Sequence, residues 1–125
     1  MITKDIILLL HALSISKYGG LEGIRDEGLV ESASSRPYQT FGGEDLYPSI
    51  YEKAAAITES IIINHPFLDG NKRTGFLAMI AMLESGKLEV NVTNDEIYSF
   101  IISISTGKTK FEQIVEWLKQ NTKTL

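Results

Sequence analysis

The residues best suited to chemistry are concentrated in one stretch, "NHPFLDGNKRTGF", residues 64–76. It holds one of the two histidines, His65, then a carboxylate, Asp69, a Gly70-Asn71 pair and two adjacent cations, Lys72 and Arg73. An ordinary imidazole titrates near about 6.5, so it can take a proton from a hydroxyl at neutral pH. Glycine permits a sharp turn and close approach of the backbone to a ligand. A helix beginning near Asn71 would turn its unpaired first N–H groups and the positive end of its dipole toward an anion. Lys72 and Arg73 are unfavourable at that end unless an anion lies between them. A carboxylate beside phosphates requires a divalent cation, and Mg²⁺ suits a site of one carboxylate plus phosphate oxygens. Base, metal carboxylate and charge clamp are the parts of a phosphoryl- or nucleotidyl-transfer site. The candidate catalytic residues are His65, Asp69, Lys72 and Arg73. Gly70, Asn71, Lys72, Arg73 and Thr74 are the candidate phosphate contacts, and Asp69 is the candidate metal ligand.

Each residue also has a plainer reading. A histidine before a proline suits the end of a helix, and Asp-Gly is a common turn pair whose Asp can cap the next helix. Lys72 and Arg73 can be solvated or paired with glutamates. Phe67 reads as a core anchor for the loop under either view, and Thr74 as the start of the helix. The joint arrangement is much harder to reach by accident than any single part.

These groups must be positioned by helices. Apolar residues at 6, 7, 10 and 13 predict a helix over 3–16 that starts at Thr3 and stops at Gly19 and Gly20. Asp26 can cap a short helix to Ser34. Residues 37–48 read as a loop rich in Gly and aromatics, and Pro48 as the first residue of a long helix, "PSIYEKAAAITESIIIN". Its three consecutive isoleucines suggest burial on more than one side. Pro66 disfavours helical geometry at His65. A central apolar helix is expected from Asn71 to Ser85, stopped by Gly86. "KLEVNV" alternates and reads as a short extended segment. Thr93 with Glu96, and Thr109 with Glu112, form capping-box patterns before two further helices. Trp117, Ile114 and Leu118 read as core packing, and His11 as a helix-face residue and not a second base. The expectation is an all-α bundle of about six helices in a single domain, 1–125, with a short polar tail.

Composition narrows the function. Cysteine is absent, which excludes disulfides and thiolate catalysis and fits a reducing cytosol. The net charge is −4 and the twelve Lys and Arg are scattered, which argues against a broad nucleic-acid surface. The apolar run Ile6–Leu10 is too short to span a bilayer. The expected location is cytoplasmic.

The stretch "HPFLDGNKRTG" resembles the signature of the Fic/Doc family, H-x-F-x-[DE]-[GA]-N-[GK]-R, at His65, Phe67, Asp69, Gly70, Asn71, Lys72 and Arg73. "YGGLEGIRDEGLVESASSRP" and the Tyr47-Pro48 pair resemble the Doc (death-on-curing) branch, so the likeness covers nearly the whole chain. It implies the Fic fold, His65 as general base toward a protein hydroxyl, Asp69 as the Mg²⁺ ligand, and the 70–73 turn as the cradle of ATP phosphates, with Asn71 and Arg73 contacting them by side chain. Fic-type AMP-transferases carry Gly where this chain has Lys72, and a second Arg where it has Phe76. Both departures resemble Doc, which implies phosphoryl transfer to a threonine of elongation factor Tu and a block of translation. Pro66 and Gly70 resemble the Fic branch instead and keep AMP transfer as the alternative. A catalytically silent binding module is the other alternative, against which the intact His65 and Asp69 count. No self-inhibitory [ST]-x-x-x-E-[GN] helix is present, so the resemblance implies an antitoxin partner binding as a helix in a groove. The apolar and aromatic residues of 37–51 are candidates for substrate or partner contact, or for covering the core.

Overall fold

Thr3 opens the first helix, α1 (Lys4–Tyr18), by accepting the Ile6 N–H on its side chain, and Gly19 in a positive-φ conformation ends it. The computed structural model describes residues 1–125. Asp26 caps α2 (Glu27–Ser35) through the Leu29 N–H. A 3₁₀ turn over Arg36–Tyr38 and a small hairpin, β1 (Thr40–Phe41) with β2 (Glu44–Asp45), lead to α3 (Ile50–Asn64). Then come α4 (Asn71–Ser85), β3 (Leu88–Val90), α5 (Asn94–Ser105), α6 (Phe111–Gln120) and β4 (Thr122–Thr124). The bundle of six helices is as expected.

The antiparallel pair formed by α3 and α4 is the centre, joined by the short loop that holds His65 and Asp69. On α4 the buried positions are Asn71, Thr74, Gly75, Ala78, Met79, Met82 and Leu83, one stripe at three- and four-residue spacing. A Cβ on Gly75 would meet Ile62 Cγ1 at 2.6 Å, so glycine there lets the two helices approach closely. Ile61 and Ile62 are fully buried, whereas the third isoleucine, Ile63, is 43% exposed. One apolar cluster draws on every helix and includes Ile7, Val30, Ile57, Met79, Ile104 and Leu118.

Three features differ from expectation: the start of α3, the cap of α6 and the polar tail. Pro48 lies before the helix, because Ser49 caps α3 in a full capping box with Glu52. α4 runs from Asn71 to Ser85 and stops at Gly86 as expected; Gly86 has φ −96, and the left-handed residue is the next one, Lys87 (φ 60). A Cβ on Gly86 would meet Ile50 at 2.6 Å, so close packing requires this glycine. The last cap shifts by one residue. Gln113 Oε1 accepts the Lys110 N–H at 2.8 Å, while the Thr109 hydroxyl donates to Ser103. The polar tail is not loose: Thr122–Thr124 pairs antiparallel with Leu88–Val90.

Candidate active site

His65 ends α3 in a left-handed conformation (φ 52); Pro66 disfavours continuation of the helix through its predecessor but does not itself select the left-handed state. For a non-glycine residue this costs about 1–2 kcal/mol, so the surroundings must hold it. Arg25 does so by donating from Nε to the His65 carbonyl and from Nη2 to the Asn64 carbonyl, both at 2.6 Å. The main chain of residues 23–26 runs alongside. Arg25 and Asp26 donate to the Pro66 carbonyl, Leu68 donates to the Gly23 carbonyl, and Ile24 bridges Phe67. The exposed imidazole has its Nδ1 2.9 Å from the Ile63 carbonyl oxygen. A carbonyl can only accept, so Nδ1 bears a proton, and in the neutral ring the lone pair is then on Nε2. That tautomer is the one a general base needs.

Asp69 is held open by main-chain donors. Its Oδ2 accepts the Leu21 N–H at 3.0 Å and its Oδ1 the Gly70 N–H at 2.9 Å. These bonds, Leu21's first and Gly70's next, hold its carboxyl below the ordinary Asp range, assisted by His11 and Lys72. Each oxygen keeps lone-pair capacity facing solvent. No three His, Cys, Asp or Glu side chains converge as ligands anywhere in the structure, this loop included. A lone ionised carboxylate fits Mg²⁺, which takes its remaining ligands from phosphates and water.

The loop's interior is a second layer. Phe67, 1% exposed, stacks on His11 with centroids 3.8 Å apart and planes within 4°. His11 is itself buried, and its Nε2 donates to the Asp69 carbonyl at 2.9 Å. Asn71 closes the loop with two reciprocal bonds, accepting the Phe67 N–H and donating to the Phe67 carbonyl, each at 3.0 Å.

This corrects part of the anion-turn expectation. The Asn71 side chain is buried and turned to Phe67, its Oδ1 and one Nδ2–H committed there, so what the residue presents on the turn is its main-chain N–H. Thr74 offers nothing: its side chain is fully buried, and its N–H donates to the Gly70 carbonyl at 2.9 Å. The Gly70 N–H is taken by Asp69. The main-chain N–H groups of Asn71, Lys72 and Arg73 remain without an acceptor in the chain, as first-turn donors do. Lys72 and Arg73 point off the buried stripe and are exposed. The Arg73 guanidinium lies 3.9 Å over the Tyr18 ring. Beside these cations, Phe76, Ile97, Tyr98, Ile101 and Ile102 line an apolar cleft of about 280 Å³.

Sequence reasoning did not find His11, Tyr18, Leu21 or Arg25 as parts of this site. The buried stripe of α4, traced back in steps of three and four, would have placed Asn71 and Thr74 inward. Residues 37–51 differ in burial. Tyr47 packs against Phe111 and accepts from Arg36, whereas Phe41 is 82% exposed at the hairpin.

Comparison with known proteins identifies the family. The model of a family described as Fic/DOC matches residues 1–83, which span α1 through nearly all of α4 and contain the whole loop. "Toxin Doc" of Mycolicibacterium smegmatis is 46% identical over 61 residues, 49% of this chain and 47% of that protein, so the match spans about half the relative's length. "Protein kinase doc" of Escherichia phage P1 is 25% identical over 119 residues, 95% of this chain and 93% of that protein. No helix is long and apolar enough to cross a membrane.

Proposed function

Because this chain belongs to the Fic/DOC family, we propose that it is a Doc-like toxin. In this reading it transfers the terminal phosphoryl group of ATP to a hydroxyl of a target protein, by resemblance a threonine of elongation factor Tu. The observation that carries the reading is the shared loop. It joins a histidine whose Nε2 is available as acceptor to three unpaired main-chain donors flanked by Lys72 and Arg73. His65 Nε2 takes the hydroxyl proton, the hydroxyl oxygen bonds to the γ-phosphorus, and the bond to the bridging oxygen breaks to release ADP. The amides of residues 71–73 and the two cations stabilise the charge on the phosphoryl oxygens. Asp69 would hold Mg²⁺, which supplies charge neutralisation between phosphates. The apolar cleft beside Lys72 and Phe76 has room for a nucleoside. An antitoxin that folds as a helix on the protein is the expected partner, and the cytoplasm the expected location.

Supporting the kinase reading over nucleotidyl transfer, Lys72 fills space that glycine would leave open, and Phe76 supplies no second guanidinium. Purified protein incubated with ATP and a bacterial lysate tests this. Label from the γ-phosphate should enter a protein with the wild type, and His65→Ala should lower the rate about 100-fold or more. Transfer of α-label instead would replace the reading with AMP transfer. In cells, growth arrest should follow expression of the wild type and not of His65→Ala; equal growth with both would remove the toxin role.

A further inference from the structure

Tyr18, the last residue of α1, is 55% exposed and belongs to no part of the core. Its ring nevertheless carries two cations. The Arg73 guanidinium carbon lies 3.9 Å from the centroid and the Lys17 ammonium 5.3 Å. Arg73 has no carboxylate partner in the structure and makes no side-chain hydrogen bond. Stacking on a ring uses the face of a guanidinium and leaves its five N–H donors at the edge unspent. Just beyond Tyr18 the chain turns through Gly19 and Gly20, and Leu21 donates to Asp69. One end of α1 therefore supports both the acidic and the basic sides of the loop.

We propose that Tyr18 is a positioning residue that holds Arg73 ready to grip a phosphate before nucleotide arrives. This rests on the phosphate-site reading above. An unheld arginine must lose rotamer freedom on binding, whereas one already stacked on a ring has lost part of it. A cation–π contact at an exposed position is worth about a two- to fivefold change in equilibrium. Two cations sharing one ring repel each other, and an anion between them and Lys72 relieves that repulsion.

The test is calorimetric titration of Mg-ATP into the wild type, Tyr18→Leu, Tyr18→Phe, Arg73→Ala and the double variant Tyr18→Leu/Arg73→Ala. Tyr18→Leu should raise Kd about two- to fivefold, Tyr18→Phe should bind as the wild type, and Tyr18→Leu should have no further effect once Arg73 is gone. A general loss of structure would not vanish in the Arg73→Ala background, and Tyr18 is exposed enough for each variant to fold. Equal affinity in Tyr18→Leu and wild type overturns the positioning role, as does an undiminished loss in the double variant. If the wild type itself takes up no Mg-ATP, the phosphate-site reading fails first, and the positioning role falls with it.

Discussion

Asn71 offers the sharpest test of how the loop is built. Its side-chain amide satisfies both the N–H and the carbonyl of Phe67, at 3.0 Å each, inside the protein. Asn71→Ala removes both partners and leaves two buried main-chain groups unpaired. Each such group costs about 1–3 kcal/mol, so the loss is roughly 2–6 kcal/mol, less whatever entering water restores. For a domain of this size that lowers the melting temperature by roughly 10 °C. Asn71→Asp separates the two bonds. The ionised carboxylate still accepts the Phe67 N–H but opposes the Phe67 carbonyl, and only its protonated form can donate there. Urea denaturation followed by circular dichroism measures the stability, and hydrogen exchange at the Phe67 amide reads the loop directly. If Asn71→Ala denatures within about 0.5 kcal/mol of the wild type and the Phe67 amide stays as protected, the loop is not held by this residue and the account is wrong.

Two further predictions concern the carboxylate. Gly20 has φ 119, and a Cβ there would lie 2.7 Å from Asp69 Oδ2 and 3.1 Å from Ile15 Cδ1; Gly20→Ala should destabilise the protein by about 1–3 kcal/mol and expose the Leu21 amide to exchange, whereas unchanged Leu21 protection would contradict the geometry. Asp69 is held below its ordinary pKa by the Leu21 and Gly70 N–H groups, so its stabilising contribution is present above the ordinary value and disappears as pH falls through the lower folded one. A carboxyl-carbon NMR titration should place its midpoint below 3.8, and a midpoint at or above that value would rule out the two-donor cradle.

Local chemistry and periodicity made much of this protein legible. Thr3 and Asp26 cap their helices because short polar side chains reach N–H groups two or three residues on, a purely local event. The break at His65-Pro66 and the restart at Asn71 follow from ring sterics and a glycine turn. The histidine, carboxylate and cation cluster is legible because all its members lie within ten residues. Ser49 over Pro48, and Lys110 over Thr109, show where local rules compete: more than one nearby residue can open a helix, and side-chain reach selects the cap.

Which of those residues are buried and which stay open to solvent depended on packing between segments distant in sequence. Asn71 and Thr74 turn inward because α4 buries that stripe against its neighbours, while Lys72 and Arg73 fall on the open side. His11, Tyr18, Leu21 and Arg25 lie some 40 to 58 residues from the groups they hold, and no spacing rule links such positions. The sequence alone determined which chemical groups are present and that one short turn collects them. Tertiary structure alone decided which groups are spent on holding the turn, because only folding brings α1 and its Gly-Gly exit against the loop.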